Sequence, residues 1–95
     1  MNLNIKENSW IAKLAAKKLQ SKNVAIVIGN TIHLYSTTKE EFLQNKKWVK
    51  HEVCHLQQFK KHGTFVFIIK YLWESIKHGY HYNKYEIEAR KAEED

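Results

Sequence analysis

The stretch Lys46–His62 decides the fold and reads KKWVKHEVCHLQQFKKH. Its apolar and polar residues recur with the period of a helix, and the following Gly63 is a typical helix end. At about 100° per residue, His55 and Glu52 lie within about 100° of His51, on the side that carries aromatic residues. Lysines occupy the opposite side. The pattern predicts an amphipathic helix whose two histidines and Glu52 point inward.

The segment 51–55, His-Glu-Val-Cys-His, has the spacing of a zinc-binding motif. Histidines four positions apart on a helix lie one turn above each other, so their ring nitrogens converge on one cation. Glu52 lies on the flank of that face, where it can reach a metal-bound water and accept its proton as the water attacks a carbonyl. The motif predicts His51 and His55 as zinc ligands and Glu52 as general base. A structural helix with packed histidines is the alternative.

A catalytic zinc needs three protein ligands and one open position. The metzincin continuation, with a glycine and a third histidine after His55, is absent, so a downstream acid must serve. Glu74 lies between basic residues at helical spacing, which a solvent-facing ion-pair stripe explains. Glu86 opens the last helix, and Glu88 points to nearly the opposite side. Glu86 could be the third zinc ligand, but together with Asn83 it could also form a capping box.

At these positions the chain resembles gluzincin metallopeptidases. The motifs at 51–55 and at 86–89, Glu-Ile-Glu-Ala, look like the two motifs of that group, in which Glu-x-x-Ala supplies the third zinc ligand. The segment 48–90, about the second half of the chain, is similar to small, uncharacterised bacterial gluzincin-like proteins. The resemblance favours the ligand role over the cap and implies a minimal zincin-like fold. The zinc ligands it implies are His51, His55 and Glu86, with Glu52 as general base.

Two further positions bear on catalysis. Several gluzincins have an aspartate, four residues after the glutamate ligand, that orients a zinc histidine. Arg90 stands at that position here, so either another acid takes the role or the site is tuned differently. Peptide hydrolysis also needs a group that stabilises the oxyanion. Tyr80, His81 and Tyr82 precede the third-ligand helix and are the candidates.

The remaining sequence predicts an α+β fold in one domain, 1–95. Gly29 and Asn30 separate two β-branched runs and suit a type II′ hairpin turn. An N-terminal helix with Trp10, Leu14 and Leu19 on one apolar face precedes the hairpin, and helices follow it. The predicted elements are helix 9–20, strands 24–28 and 31–35, and helices 39–44, 46–62, 64–78 and 83–94.

Composition limits the partners and the compartment. The net charge of +6 suits an anionic partner such as nucleic acid, membrane headgroups or an acidic protein. One cysteine excludes an internal disulfide, and Cys54 falls on the lysine side of its helix, which predicts an exposed thiol with a lowered pKa. His33, on a strand, could line the cleft. No signal peptide or membrane-spanning run is visible, which predicts a cytoplasmic protein.

Three functions are compatible with these features. The first is a zinc-dependent peptidase that hydrolyses peptide bonds with a Glu-activated water, its substrate bound along the outer strand of the hairpin. The second is a zinc-stabilised binding domain without turnover, which the small size favours. The third is a basic nucleic-acid or membrane-surface module in which the histidine motif is incidental.

Overall fold

The computed structural model describes residues 3–95 and has an α+β fold, as the sequence predicts. Five helices surround a three-stranded sheet, and the predicted order of helix, hairpin and helices is confirmed. Observed helix and strand ends lie within about two residues of the predicted ones, except that the helix predicted to end at 78 continues to Tyr82 across a break at Gly79. The elements are β1 Asn4–Lys6, α1 Trp10–Leu19, β2 Val24–Ile28, β3 Thr31–Tyr35, α2 Lys39–Gln44, α3 Lys46–His62, α4 Thr64–Tyr82 and α5 Lys84–Ala92.

The sheet has the order β1-β3-β2, so β3 is central and β2 is an edge strand. β2 and β3 form the predicted antiparallel hairpin, with Ile28 opposite Thr31. Gly29 has a φ of 63° while Asn30 keeps a negative φ, the sign pattern of a type II′ turn. β1 pairs parallel to β3 with Ile5 opposite Ile32. The sequence analysis missed β1, because three residues with one apolar side chain carry no periodic signal.

Side-chain caps and glycines set the helix ends. Thr38 caps α2 with a full capping box, and the Asn45 side chain accepts a hydrogen bond from the Trp48 amide at the start of α3. Gly63, with a φ of 85°, separates α3 from α4. Gly79 has a φ of 80° and interrupts α4 before its last turn, as the sequence predicts. A positive φ rather than lack of space requires these two glycines, since an added Cβ meets nothing within 4 Å.

The predicted apolar face of α1 is wrong. Trp10, Leu14 and Leu19 are exposed, whereas Ala12 and Ala16 are buried against β2. Alanines let the helix backbone lie close to the hairpin, and the larger side chains are left on its flanks. Two of them, Leu14 and Leu19, consequently line a cavity beside the edge strand.

The main core lies between the sheet and helices α3, α4 and α5. Its buried side chains are Val27, Ile32, Leu34, Phe42, Phe59, Phe67 and Tyr85. α3 contacts both the edge strand and α5, so its inward face lies between them. Within residues 3–95, no helix is long and apolar enough to cross a membrane.

Candidate metal centre

Two helices bring three possible ligands together. His51 and His55 lie one turn apart on α3, and Glu86 comes from the first turn of α5. The Nε2 atom of His51 is 3.1 Å from Glu86 Oε1, and His55 Nε2 is 3.2 Å from Glu86 Oε2. Ligand atoms about 2.0–2.1 Å from a tetrahedral zinc are roughly 3.3 Å apart. The three side chains, whose ligand atoms all lie within 4.8 Å of one another, could therefore hold one metal ion.

The other ring nitrogen of His51 contacts a second acid. His51 Nδ1 is 2.7 Å from Glu93 Oε2, at the C-terminal end of α5. A carboxylate only accepts hydrogen bonds at neutral pH, so Nδ1 carries the proton and Nε2 is turned toward Glu86. Glu93 lies two turns after Glu86, one turn beyond Arg90, which occupies the aspartate position of several gluzincins. An acid therefore contacts His51 Nδ1, but it comes from the turn after Arg90.

His55 is fixed in the same way by Gln58. The amide nitrogen of Gln58 donates to the Tyr85 carbonyl at 3.1 Å and to the Glu88 carboxylate at 2.7 Å. Both partners are acceptors, which sets the orientation of the amide and turns its oxygen toward His55 Nδ1, 2.8 Å away. His55 Nδ1 therefore donates as well. Both histidines present Nε2 to the same Glu86 carboxylate.

With both Nε2 atoms facing one carboxylate, the two histidines either carry additional protons or bind a metal cation. Two neutral imidazoles would direct their Nε2 lone pairs at a buried carboxylate, which is unfavourable unless each carries a second proton or binds a metal. Burial alone would lower the pKa of His51, but hydrogen bonds to Glu86 and Glu93 raise it to about 9. The pKa of His55 is also raised, because its bonds to Glu86 outweigh its burial. Burial opposes ionisation of Glu86, yet the two histidines hold its pKa far below the usual range.

Glu52 is the second buried carboxyl of the site. It lies on the inward face of α3, and burial raises its pKa to about 7 against the opposing charges of His55 and His51. The nearby Trp48 side chain favours the charged form and so opposes this rise in pKa. A carboxyl with a pKa near neutrality exchanges a proton readily at physiological pH, the property that a general base requires.

Tyr71 is a site residue that the sequence analysis missed. Its hydroxyl, on the packed side of α4, donates to Glu86 Oε2 at 2.5 Å. The main-chain carbonyl of Tyr71 accepts from the Asn83 side chain, which joins α4 to the start of α5. Helical spacing from Phe67 places Tyr71 on the inward face of its helix, but no local pattern indicates which acid its hydroxyl meets.

The other acid candidates have different partners. Asn83 caps α5 by accepting from the Tyr85 amide, and the Glu86 carboxylate lies with the histidines instead of completing a capping box. Glu88 contacts Gln58, outside the cluster. The predicted solvent-facing stripe at Glu74 is wrong, because its carboxylate accepts a hydrogen bond from the Lys84 amide at the start of α5. A helix N-terminus with free N–H groups attracts such an acid.

Of the three candidates for oxyanion stabilisation, Tyr80 lies beside the site. It lines both cavities next to His51 and Glu52, and burial together with the Glu86 charge raises its pKa to about 12. His81 and Tyr82 lie outside both cavity linings and are exposed. Tyr80 directly follows Gly79, where the helical backbone of α4 is broken.

Two sequence predictions outside the cluster are wrong. Cys54 is buried, with its sulfur 3.8 Å from a Glu88 carboxylate oxygen, and burial and that charge raise its pKa to about 11. The prediction failed because α5 covers this flank of α3. His33 does not line the cleft, since it is buried and its Nδ1 lies 2.8 Å from the Ser9 hydroxyl.

The site lies where two cavities meet. One, of about 530 Å³, has a polar end lined by Ser21, Asn23 and Asn45. The other, of about 550 Å³, runs between α1, β2 and α4 and is mainly apolar. His51 and Glu52 line both cavities, and residues of the edge strand β2 border both. A ligand lying along β2 would therefore contact the face of the histidine cluster.

Comparison of the chain with protein-family models, with curated proteins and with solved structures finds no match. Interpretation of the site consequently depends on its own geometry. The fold is α+β, and the described residues include a buried group of two histidines and one glutamate that could hold a metal ion.

Proposed function

We propose that this protein is a zinc-dependent peptidase of the gluzincin type. The observation that supports it best is the convergence of both Nε2 atoms on the Glu86 carboxylate while both Nδ1 atoms bond to fixed acceptors. That arrangement is typical of metal-binding histidines, whose second nitrogen is oriented by a carboxylate or carbonyl. Two imidazoles and one carboxylate are a frequent ligand set of catalytic zinc.

Within residues 3–95 the cluster would offer three ligands to a zinc ion and leave one position open, rather than forming a closed set of four. Structural zinc sites are usually closed by four protein ligands, whereas catalytic sites keep one position open. His51 and Glu52 line cavities on both sides of the cluster, so a substrate can reach it. A bound zinc would supply a Lewis acid and lower the pKa of a bound water.

Glu52 would then transfer protons, and Tyr80 would stabilise the negative charge that develops on the carbonyl oxygen. Glu52, which lines both cavities next to His51, would accept the proton of the attacking water and would return it to the leaving amine. The Tyr80 hydroxyl, which stays protonated because its pKa is about 12, would donate a hydrogen bond to the oxygen of the scissile carbonyl. His51 and His55 would stay neutral and oriented through Glu93 and Gln58.

A peptide is the substrate class that the sheet favours. β2 is an edge strand, and its residues border both cavities together with His51 and Glu52. An extended peptide can add to such an edge through main-chain hydrogen bonds, which would carry its backbone across the cluster. The apolar cavity next to β2 would accept a hydrophobic side chain, and Leu14 and Leu72 lie in its lining.

Metal analysis combined with Glu52→Gln tests the proposal. We expect one zinc per chain in both the parent protein and the variant, and cleavage of a mixed peptide library, read by mass spectrometry, by the parent alone. Glu94→Gln is the control, since Glu94 is exposed and lies just beyond the end of α5, outside the cluster. Protein that holds no zinc after reconstitution would refute both zinc functions. Zinc in every form, without cleavage by any, would identify a zinc-stabilised binding domain.

A further inference from the structure

Side chains of α4 fall into three sectors around its axis at about 100° per residue. One sector packs on the protein through Phe67, Ile68 and Tyr71. A second sector, about 120° wide, is entirely apolar and points away from the core. We call it the outer face of α4, and it consists of Phe65, Val66, Ile69, Leu72, Trp73 and Ile76; Leu72 lies at its edge and also borders the apolar cavity.

This outer face is unusually exposed. Phe65 is 84% exposed, Ile76 is 78% exposed and Ile69 is 66% exposed. Together the six side chains present on the order of 700 Å² of apolar surface, above the roughly 300–600 Å² of the largest patch on a typical monomer. A helix that is apolar on two opposite sides is normally buried on both, so this face is built to be covered.

Positive charge borders the outer face on one side. Lys70 and Lys77 occupy the third sector of α4, and neither pairs with a carboxylate within residues 3–95. Lys77 lies 6.0 Å from the centre of the Trp73 ring. Glu74 is the acid of this helix, and its carboxylate is held at the Lys84 amide, away from the outer face. The outer face therefore consists of apolar side chains bordered by lysines and contains no carboxylate.

We propose that the outer face of α4 docks on the surface of an anionic lipid bilayer. Exposed tryptophan, phenylalanine and isoleucine beside lysines is the composition of a helix that lies in the interface, with its apolar side inserted among the headgroups. The net charge of +6 adds attraction to anionic headgroups. A second copy is a poorer occupant, because pairing two such faces leaves the Lys70 and Lys77 charges without opposite charges.

Vesicle flotation tests this inference on the whole chain. We expect binding to phosphatidylcholine vesicles that contain phosphatidylglycerol, weak binding to phosphatidylcholine alone, and loss of binding at high salt. The triple variant Phe65→Ser, Ile69→Ser, Ile76→Ser should reduce the partition coefficient by more than about tenfold. Leu43→Ser, which removes a comparable exposed side chain from α2, should leave it unchanged.

Two further variants separate charge from fold and from the metal centre. Replacing Lys70 and Lys77 with glutamine should weaken binding by roughly fivefold per lysine, with circular dichroism unchanged. Glu52→Gln should bind vesicles like the parent, so failure of the peptidase proposal would not affect this one. Equal binding by the triple variant and the parent would overturn it. A dimer in sedimentation that the triple variant abolishes, without vesicle binding, would assign the face to self-association and also overturn it.

Discussion

Replacing Glu86 with glutamine keeps the size of the side chain but changes the carboxylate that contacts both histidines and Tyr71. The side chain is 4% exposed and accepts from His51, His55 and the Tyr71 hydroxyl. Glutamine removes the negative charge and places an amide N–H₂ where one acceptor oxygen stood. Both the metal-free protein and the zinc complex should therefore lose stability.

The size of each effect follows from the contacts. Removing one partner of a buried ion pair lowers the free energy of unfolding by about 3–5 kcal/mol. For the metal-free protein at pH 7 we expect the lower end of this range, because the acids Glu52 and Glu93 remain near the histidines. About 3 kcal/mol in a domain of this size lowers the melting temperature by roughly 12–24 °C. In the complex, loss of a direct ligand should cost at least the roughly 100-fold upper range seen for groups that only orient ligands.

Zinc affinity is measured by competition with a chromophoric chelator, and melting by circular dichroism at pH 7 with and without zinc. Glu94→Gln is the control, because it makes the same chemical change at an exposed carboxylate just beyond the end of α5. Unchanged zinc affinity in Glu86→Gln would refute the ligand assignment. Unchanged melting of metal-free Glu86→Gln would refute the buried ion pair.

Four further predictions concern the neighbouring groups. Zinc uptake at pH 7 should release protons, because a pKa of about 9 keeps His51 protonated in the metal-free protein. Zinc affinity should therefore rise with pH until about pH 9. Calorimetry in buffers of different ionisation enthalpy would count the released protons. Tyr71→Phe should weaken zinc binding about tenfold by removing the 2.5 Å hydrogen bond to the glutamate ligand, as chelator competition would show. Glu93→Gln should have a similar effect in the same assay, whereas Glu94→Gln should have none. Cys54, buried with a pKa of about 11, should react with a thiol reagent at least about 100-fold more slowly than a free thiol of pKa about 8.5, unless the protein is denatured first.

Local rules explain what the sequence could predict. Thr38, Asn45 and Gly63 act within a few residues along the chain, so capping patterns locate the ends of α2 and α3. The inward direction of His51 and His55 follows from helical period alone, which the sequence displays over the full length of α3. These features need no knowledge of what packs against the helix.

Long-range contacts explain what it could not. Glu93 meets His51 across 42 positions, and Tyr71 meets Glu86 across 15, and neither pairing leaves a trace in local composition. The exposure of Cys54 was mispredicted for the same reason, since a helical wheel shows the side of α3 on which a residue lies but not that α5 covers it. β1 forms because β3 offers a free edge, which is a property of the folded sheet.

α5 has nine residues, a length at which a helix is marginal by itself in water, so its order depends on what it docks against. It carries Glu86, with Glu93 as its C-cap, and any opening of the helix would remove the proposed ligand and the carboxylate at His51 Nδ1 together. Zinc at 100 times its dissociation constant stabilises the closed state by about 2.7 kcal/mol. Amide hydrogens of α5 should then exchange about 100-fold more slowly with zinc than without it, so their protection would report occupancy of the centre residue by residue.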